Sequence, residues 1–174
     1  MNRILINAIL AIISVIFLGC SGYFGSIHPS HIPLGDSEMT PFSPPHPVSL
    51  INAQDDIVTK IPGDGASYDT NLHEWAHQAI LLIRQWLTKN GVPVVDNAEK
   101  KLTISILNPK VLPGLVFGTT SLELTVETGD GDKKIYSVEG SARSLSRSVG
   151  YAINYSVVRL IQDETIAMYI GNSK

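Results

Sequence analysis

Residues 73–77 read His73-Glu74-Trp75-Ala76-His77, the His-Glu-x-x-His spelling of zinc hydrolases. On a helix, residues four apart share a face, so two imidazoles can hold one ion while the glutamate polarises a bound water as general base. The neighbours Leu72, Trp75, Ala76, Gln78 and Ala79 are uncharged, as such sites prefer. A catalytic zinc also needs a third protein ligand and an open position. No histidine follows His77; Glu99 falls in a charged loop, and Glu123, Glu127 and Glu139 fall in predicted strands whose alternation turns them from the apolar face.

At ~100° per residue, Leu72, Trp75, Ala76, Ala79, Ile80, Ile83, Trp86 and Leu87 form one apolar stripe with His73 and His77 at its shoulder. Glu74 falls on the far side with Gln78 and Gln85, where a surface helix keeps its solvated residues. Arg84 lies on the histidines' flank, where a guanidinium does not help recruit a cation. The expectation is a structural amphipathic helix, with no catalytic residue, metal or cofactor. The competing reading is a zinc-dependent hydrolase using His73, Glu74 and His77.

Other candidate chemistry is sparser. His28 and His31 lack further ligands nearby in the sequence. Asp130 and Asp132, in Thr-Gly-Asp-Gly-Asp, suit a hairpin turn better than a calcium loop, which needs more length and a later carboxylate. Arg143 and Arg147 sit among serines at the expected start of a helix, with no nucleophile elbow and no later histidine to act as base. Leu115, Val116 and Phe117 are apolar, bracketed by Gly114 and Gly118, and lie outside any periodic element. Either this loop folds back over the core, as apolar loops ordinarily do, or it is a contact surface.

The elements that must position these residues begin after Pro47. Val48–Ala53 and Asp56–Ile61 are candidate strands, with a turn across 61–69. A helix is predicted from about Thr70 to Asn90, started by Asp69 or Thr70 and stopped by Asn90-Gly91. Pro93–Asp96 allows a brief strand, Lys101–Asn108 alternates as a half-buried strand, and Pro109–Gly118 is a loop. Ser121–Thr128 and Lys133–Gly140 flank a hairpin turn at 129–132. A second long helix opens near Ser144, and Asp163 caps a short last one. This order predicts an α+β fold: a mainly antiparallel sheet of about four or five strands, two main helices on one face, and a short C-terminal helix.

The start of the chain gives the location. Met1-Asn2-Arg3 is basic, Ile4–Leu18 carries no charge, and Gly19-Cys20-Ser21-Gly22 follows, which is the anatomy of a secretory signal. The apolar run is shorter than the roughly twenty residues a membrane span requires. Cys20 is the one cysteine of the chain, so it has no intramolecular disulfide partner. The stretch resembles the lipobox of bacterial lipoproteins, although Phe17 and Leu18 depart from the usual Leu and small residue. That resemblance implies acylation of Cys20, including palmitate-type chains. With Ser21 in place of the aspartate that retains such proteins in the inner membrane, it implies the periplasmic face of the outer membrane.

Residues 21–47 hold Pro29, Pro33, Pro41, Pro44, Pro45 and Pro47, too many for steady helix or sheet pairing. The expected organisation is a signal peptide over 1–19, a lipidated cysteine and Pro/Gly/His-rich tether over 20–47, and one α+β periplasmic domain over 48–174. A net charge of −3, with no basic run, recommends no nucleic-acid partner.

Lys101–Pro109, Thr120–Ser141 and Ala152–Ile170 together resemble the YajG type of small proteobacterial outer-membrane lipoprotein. The shared pattern is a strand, a hairpin ending in Val138-Glu139-Gly140, a helix, and a terminal segment with Gln162, Asp163 and Ile166. The resemblance spans roughly residues 70–170, plus the start with Cys20, and implies a lipoprotein with a mixed fold. The function expected from all of this is a membrane-anchored binding or scaffold domain with a non-enzymatic role in the cell envelope. Its partners are the membrane, through the N-terminal lipid, and another envelope protein. A third class is a periplasmic carrier of an apolar ligand, with Leu115, Val116 and Phe117 as its lid.

Overall fold

The computed structural model describes residues 26–35 and 46–171. The expected signal peptide, Cys20 and part of the tether lie outside these residues. Six strands and three helices follow in the order β1 (Val48–Asn52), β2 (Val58–Gly63), β3 (Ala66–Asn71), α1 (Leu72–Lys89), β4 (Lys100–Leu112), β5 (Gly118–Thr128), β6 (Lys133–Ala142), α2 (Leu145–Ile161) and α3 (Glu164–Gly171). The fold is α+β, with a four-stranded sheet in the order β1-β4-β5-β6 and a separate β2–β3 hairpin. The β4–β5 and β5–β6 pairings are antiparallel, whereas β1 runs parallel to β4. A parallel neighbour requires a crossover, and here β2, β3 and α1 supply it.

Alternation on the sheet places Leu102, Ile104, Ile106, Leu122, Leu124 and Val126 on the buried face. They meet Trp75, Ala76, Ala79, Ile83 and Leu87 of α1, and Val149, Ile153, Val157 and Leu160 of α2, in one apolar core. The stripe expected on the first helix is the one that is buried, joined by Leu82. Gly140 allows α2 to lie directly on β6: a Cβ there would collide with the backbone of Ser148 and Ala152. The opposite face of the sheet is solvated, and Glu127 and Glu139 are exposed on it.

Both long helices run antiparallel to β4. The C-terminal end of α1 meets the start of β1, where Val48 N–H donates to Pro93 O (2.9 Å) and Val95 N–H to Val48 O (3.0 Å). Asn71, and not the expected Asp69 or Thr70, caps the other end, its side chain accepting from His73 N–H at 2.9 Å, because Asp69 and Thr70 are held in β3. At the start of α2, Ser144 caps and Leu145 lies against Gly118. The N-termini of both helices therefore share the end of the domain that carries the β4–β5 turn.

Several boundaries differ from expectation. The stretch 61–69 is not simply a turn, because Ile61–Gly63 pairs with Ala66–Tyr68 in the β2–β3 hairpin. Burial of Ile61 and Tyr68 against the end of β4 rewards that pairing. Strand β4 runs on to Leu112 through a bulge after Leu107, with Asn108 at φ 49°, so the expected loop shrinks to 113–117. Asparagine tolerates this left-handed conformation better than most side chains. Residues 93–96 contribute only a bridge between Val94 and Val48.

Asp163 caps α3 as expected, its Oδ1 accepting from Thr165 N–H (2.8 Å) and Ile166 N–H (3.3 Å), while Oδ2 accepts from Tyr136 Oη (3.0 Å). Burial works against the charged carboxylate, but these hydrogen bonds and Lys134 outweigh it and hold its pKa below the usual value. Burial and the same carboxylate push the Tyr136 phenol up. A depressed carboxylate stabilises the fold above its unfolded pKa and loses that contribution as pH falls through the folded value. Asp163→Ala is therefore expected to cost about 1–2 kcal/mol at neutral pH. In chemical denaturation, the gap to the parent protein should narrow below about pH 4.

Candidate functional site

The first candidate site is the face of α1 that carries the His-Glu-x-x-His spelling. Part of it is covered by the chain's own N-terminal segment, while Glu74 and His77 remain exposed. Residues 26–35, expected to be part of a free tether, lie as an extended strap in the furrow between α1 and α2. At its start, Ile27 N–H donates to Asp69 O (3.0 Å) and Ile27 O accepts from Thr70 Oγ1 (3.0 Å) and, at 3.5 Å, from Trp75 Nε1. The Ile27 side chain is buried in the domain core. Further along, Ser30 N–H donates to Ser146 O (3.0 Å), and Asn154 Nδ2 donates to Ile32 O (3.2 Å) and Pro33 O (3.1 Å).

Each helix offers the strap a row of residues one turn apart. On α2 the row is Ser146, Gly150 and Asn154; a Cβ on Gly150 would strike Ser30 O. On α1 the row is Glu74 and Gln78. Glu74 Oε2 accepts from His28 Nδ1 at 2.7 Å, and Gln78 Nε2 donates to His31 Nδ1 at 2.6 Å. Both pairs are exposed at their outer edge, so solvent limits what each contributes. The strap is irregular backbone, yet the Ile27 and Ser30 amides and the Ile27, Ile32 and Pro33 carbonyls pair with the domain. That pairing lets an otherwise unpaired segment remain docked.

The expectation that Glu74 and Gln78 face only solvent is thus corrected: they face the strap. Periodicity places them correctly on the helix surface but cannot show that the chain returns to cover them. His28 and His31, which lack partners in the sequence reading, gain them in the fold. Gly150 and Asn154 were missed altogether. Their signal was a serine, a glycine and an asparagine each one turn apart, at Ser146, Gly150 and Asn154 of the same helix.

His28, Pro29, His73, Glu74, His77 and Gln78 line an open hollow of about 370 Å³. His73 Nδ1–H donates to Gln54 O at 2.8 Å, and Asn52 Nδ2 donates to His73 O at 3.1 Å, which ties the first turn of α1 to the end of β1. Among the described residues, no three His, Cys, Asp or Glu side chains are arranged to hold a metal ion.

The second candidate site is the β4–β5 turn. It does not fold back over the core. Leu115 is 108% exposed, Val116 64% and Phe117 54%, with Leu112 beside them at 40%. The closing of Gly114 on the backbone of Phe117 makes the turn tight and projects the three side chains outward: a Cβ on Gly114 would strike Phe117 O. Their outward position does not suit a lid over a cavity between helices and sheet. The structure does not bring this turn together with the hollow on α1. Among the described residues, no helix is long and apolar enough to cross a membrane.

No family model and no curated protein matches the chain. Among solved structures, the chain is similar to protein XCC0632 from Xanthomonas campestris, described as family DUF330. The identity is 10% and the TM-score 0.43, over 84% of this chain and 94% of that one.

The notch at Gly150 gives a direct test of strap docking. Alanine is the better helix former, by about 1 kcal/mol, so Gly150→Ala should leave α2 intact while expelling Ser30 from the furrow. Limited proteolysis is expected to cut within 26–35 faster in the variant, with the far-UV spectrum unchanged. Equal cutting rates would show that the strap does not depend on that notch.

Proposed function

We propose that this protein is a lipid-anchored envelope protein whose domain works by binding rather than catalysis. The observation that carries the proposal is the use made of the α1 face: Glu74 and Gln78 hold His28 and His31 of the segment that leads back to Cys20. Glu74, one residue of the protease spelling, and Gln78 beside it thereby tie α1 to residues of the N-terminal arm. Acyl chains on Cys20 would hold the protein firmly, at about 0.8 kcal/mol per buried methylene. The outer membrane as location, another envelope protein as partner and the YajG-type resemblance all belong to this same proposal.

One observation favours zinc hydrolysis instead. His73 donates Nδ1–H to a carbonyl, which leaves Nε2 as an acceptor in the tautomer a metal ligand uses. Against this, Glu74, the required general base, accepts from His28 through Oε2. The third ligand that catalytic zinc requires is not assembled beside His73 and His77 among the described residues. Binding remains the better reading.

Two measurements separate these readings. Mass spectrometry of the mature protein is expected to find acyl chains on Cys20 that Cys20→Ser lacks; a mature protein with no acyl mass there would sink the lipid-anchor proposal. Elemental analysis of purified protein should find no stoichiometric zinc, and His77→Ala should leave the metal content unchanged. Stoichiometric zinc that disappears in His77→Ala would move the assignment to a hydrolase.

A further inference from the structure

We infer that the β4–β5 turn is a membrane-contact surface, pressed into the headgroup layer of an anionic bilayer by the docked strap. The inference deepens the anchoring reading and rests on it. Its starting point is where the described chain begins. Ile27 is fixed by Asp69 and Thr70, immediately before α1, and Ser30 by Ser146, in the first turn of α2. From there the strap runs along α2 towards Asn154. Towards Cys20, the strap therefore starts at the end of the domain where both helices begin. The β4–β5 turn occupies that same end, since Gly118 abuts Leu145 and pairs with Ala142.

Chain length then limits the distance. If residues 21–47 were a free tether, their 27 residues could reach about 90 Å at ~3.3 Å each. With docking from Ile27 onward, only six steps separate Cys20 from Ser26, at most about 20 Å. A lipid at Cys20 holds this end of the domain against the bilayer, with the turn on that end.

The turn has the chemistry of an interfacial contact. Leu115, Val116, Phe117 and Leu112 present an apolar tip to solvent. Isolated exposed apolar residues are ordinary, but a contiguous group projecting from a tight turn marks a contact surface. The nearest charged side chains on β4 and beyond β6 are basic: Lys110, Arg143 and Arg147. No acid occurs within 109–122 or 140–150. The acids at this end are Asp55, Asp56 and Asp64 in the connections on either side of β2, Asp69 near the end of β3, and Glu74 in the first turn of α1. An apolar tip with basic residues at its rim suits acyl chains beneath phosphate headgroups.

The test places an environment-sensitive fluorophore at Val116→Cys in the full chain, reconstituted in vesicles of phosphatidylethanolamine and phosphatidylglycerol. A second probe at Lys133→Cys marks the β5–β6 turn, at the opposite end of the sheet. The expected result is a blue shift at position 116 and quenching by lipids spin-labelled near the headgroup, with neither effect at 133. Leu115→Ser combined with Phe117→Ser should abolish the shift while the protein still floats with the vesicles. Flotation with position 116 unquenched, or with both positions quenched alike, overturns the inference and leaves anchoring in place. Failure to float, together with absence of acyl mass, overturns the anchoring reading and this inference with it. A blue shift at 116 without lipid quenching assigns the turn to a protein contact instead, and equally overturns it.

Discussion

The close approach of α2 to β6 at Gly140 is the constraint on which the rest of the structure depends. A side chain there would push the helix off the sheet, because the Ser148 and Ala152 backbone occupies the space a Cβ would need. With α2 seated, its inner residues complete the core beside α1, and its outer row of Ser146, Gly150 and Asn154 forms one wall of the furrow. The furrow holds the strap, and the strap starts at the end of the domain where both helices begin. Burial of apolar surface supplies the driving force for the first step. Hydrogen bonding to backbone fixes the direction of the second.

The His-Glu-x-x-His face shows how one residue pattern can serve different ends. Helical spacing brings two imidazoles to one side whatever their use. Catalysis further needs a third ligand, an open coordination position and a glutamate aimed at it. In this fold Glu74 accepts from His28, and His73 bonds the Gln54 carbonyl. Both contacts tie elements together: α1 to the strap, and α1 to the end of β1.

The β4–β5 turn follows from the bulge at Asn108 and the length of β4. Continuation of pairing to Leu112 and Thr119 carries the chain beyond the core before it reverses. Leu115, Val116 and Phe117 therefore project past any surface they could cover, which is why an apolar loop stays exposed. Its position beside the helix N-termini is a consequence of chain direction, since α1 and α2 both run antiparallel to β4.

Local sequence patterns by themselves determined the α+β class, the buried stripe of α1, the start of α2 near Ser144, the cap at Asp163 and the hairpin at 129–132, because each rests on residues close together in the chain. They also placed His73, Glu74 and His77 on the flank of one helix. Tertiary structure alone decided that β1 pairs in parallel with β4, that 61–69 is the tip of a strand hairpin, and that 26–35 is a docked strap. Those outcomes depend on partners distant in the sequence: Ile27 with Thr70, and Asn154 with Ile32 and Pro33. A proline-rich segment carries no period of its own, so its place is set by the furrow that two helices make only after they have packed.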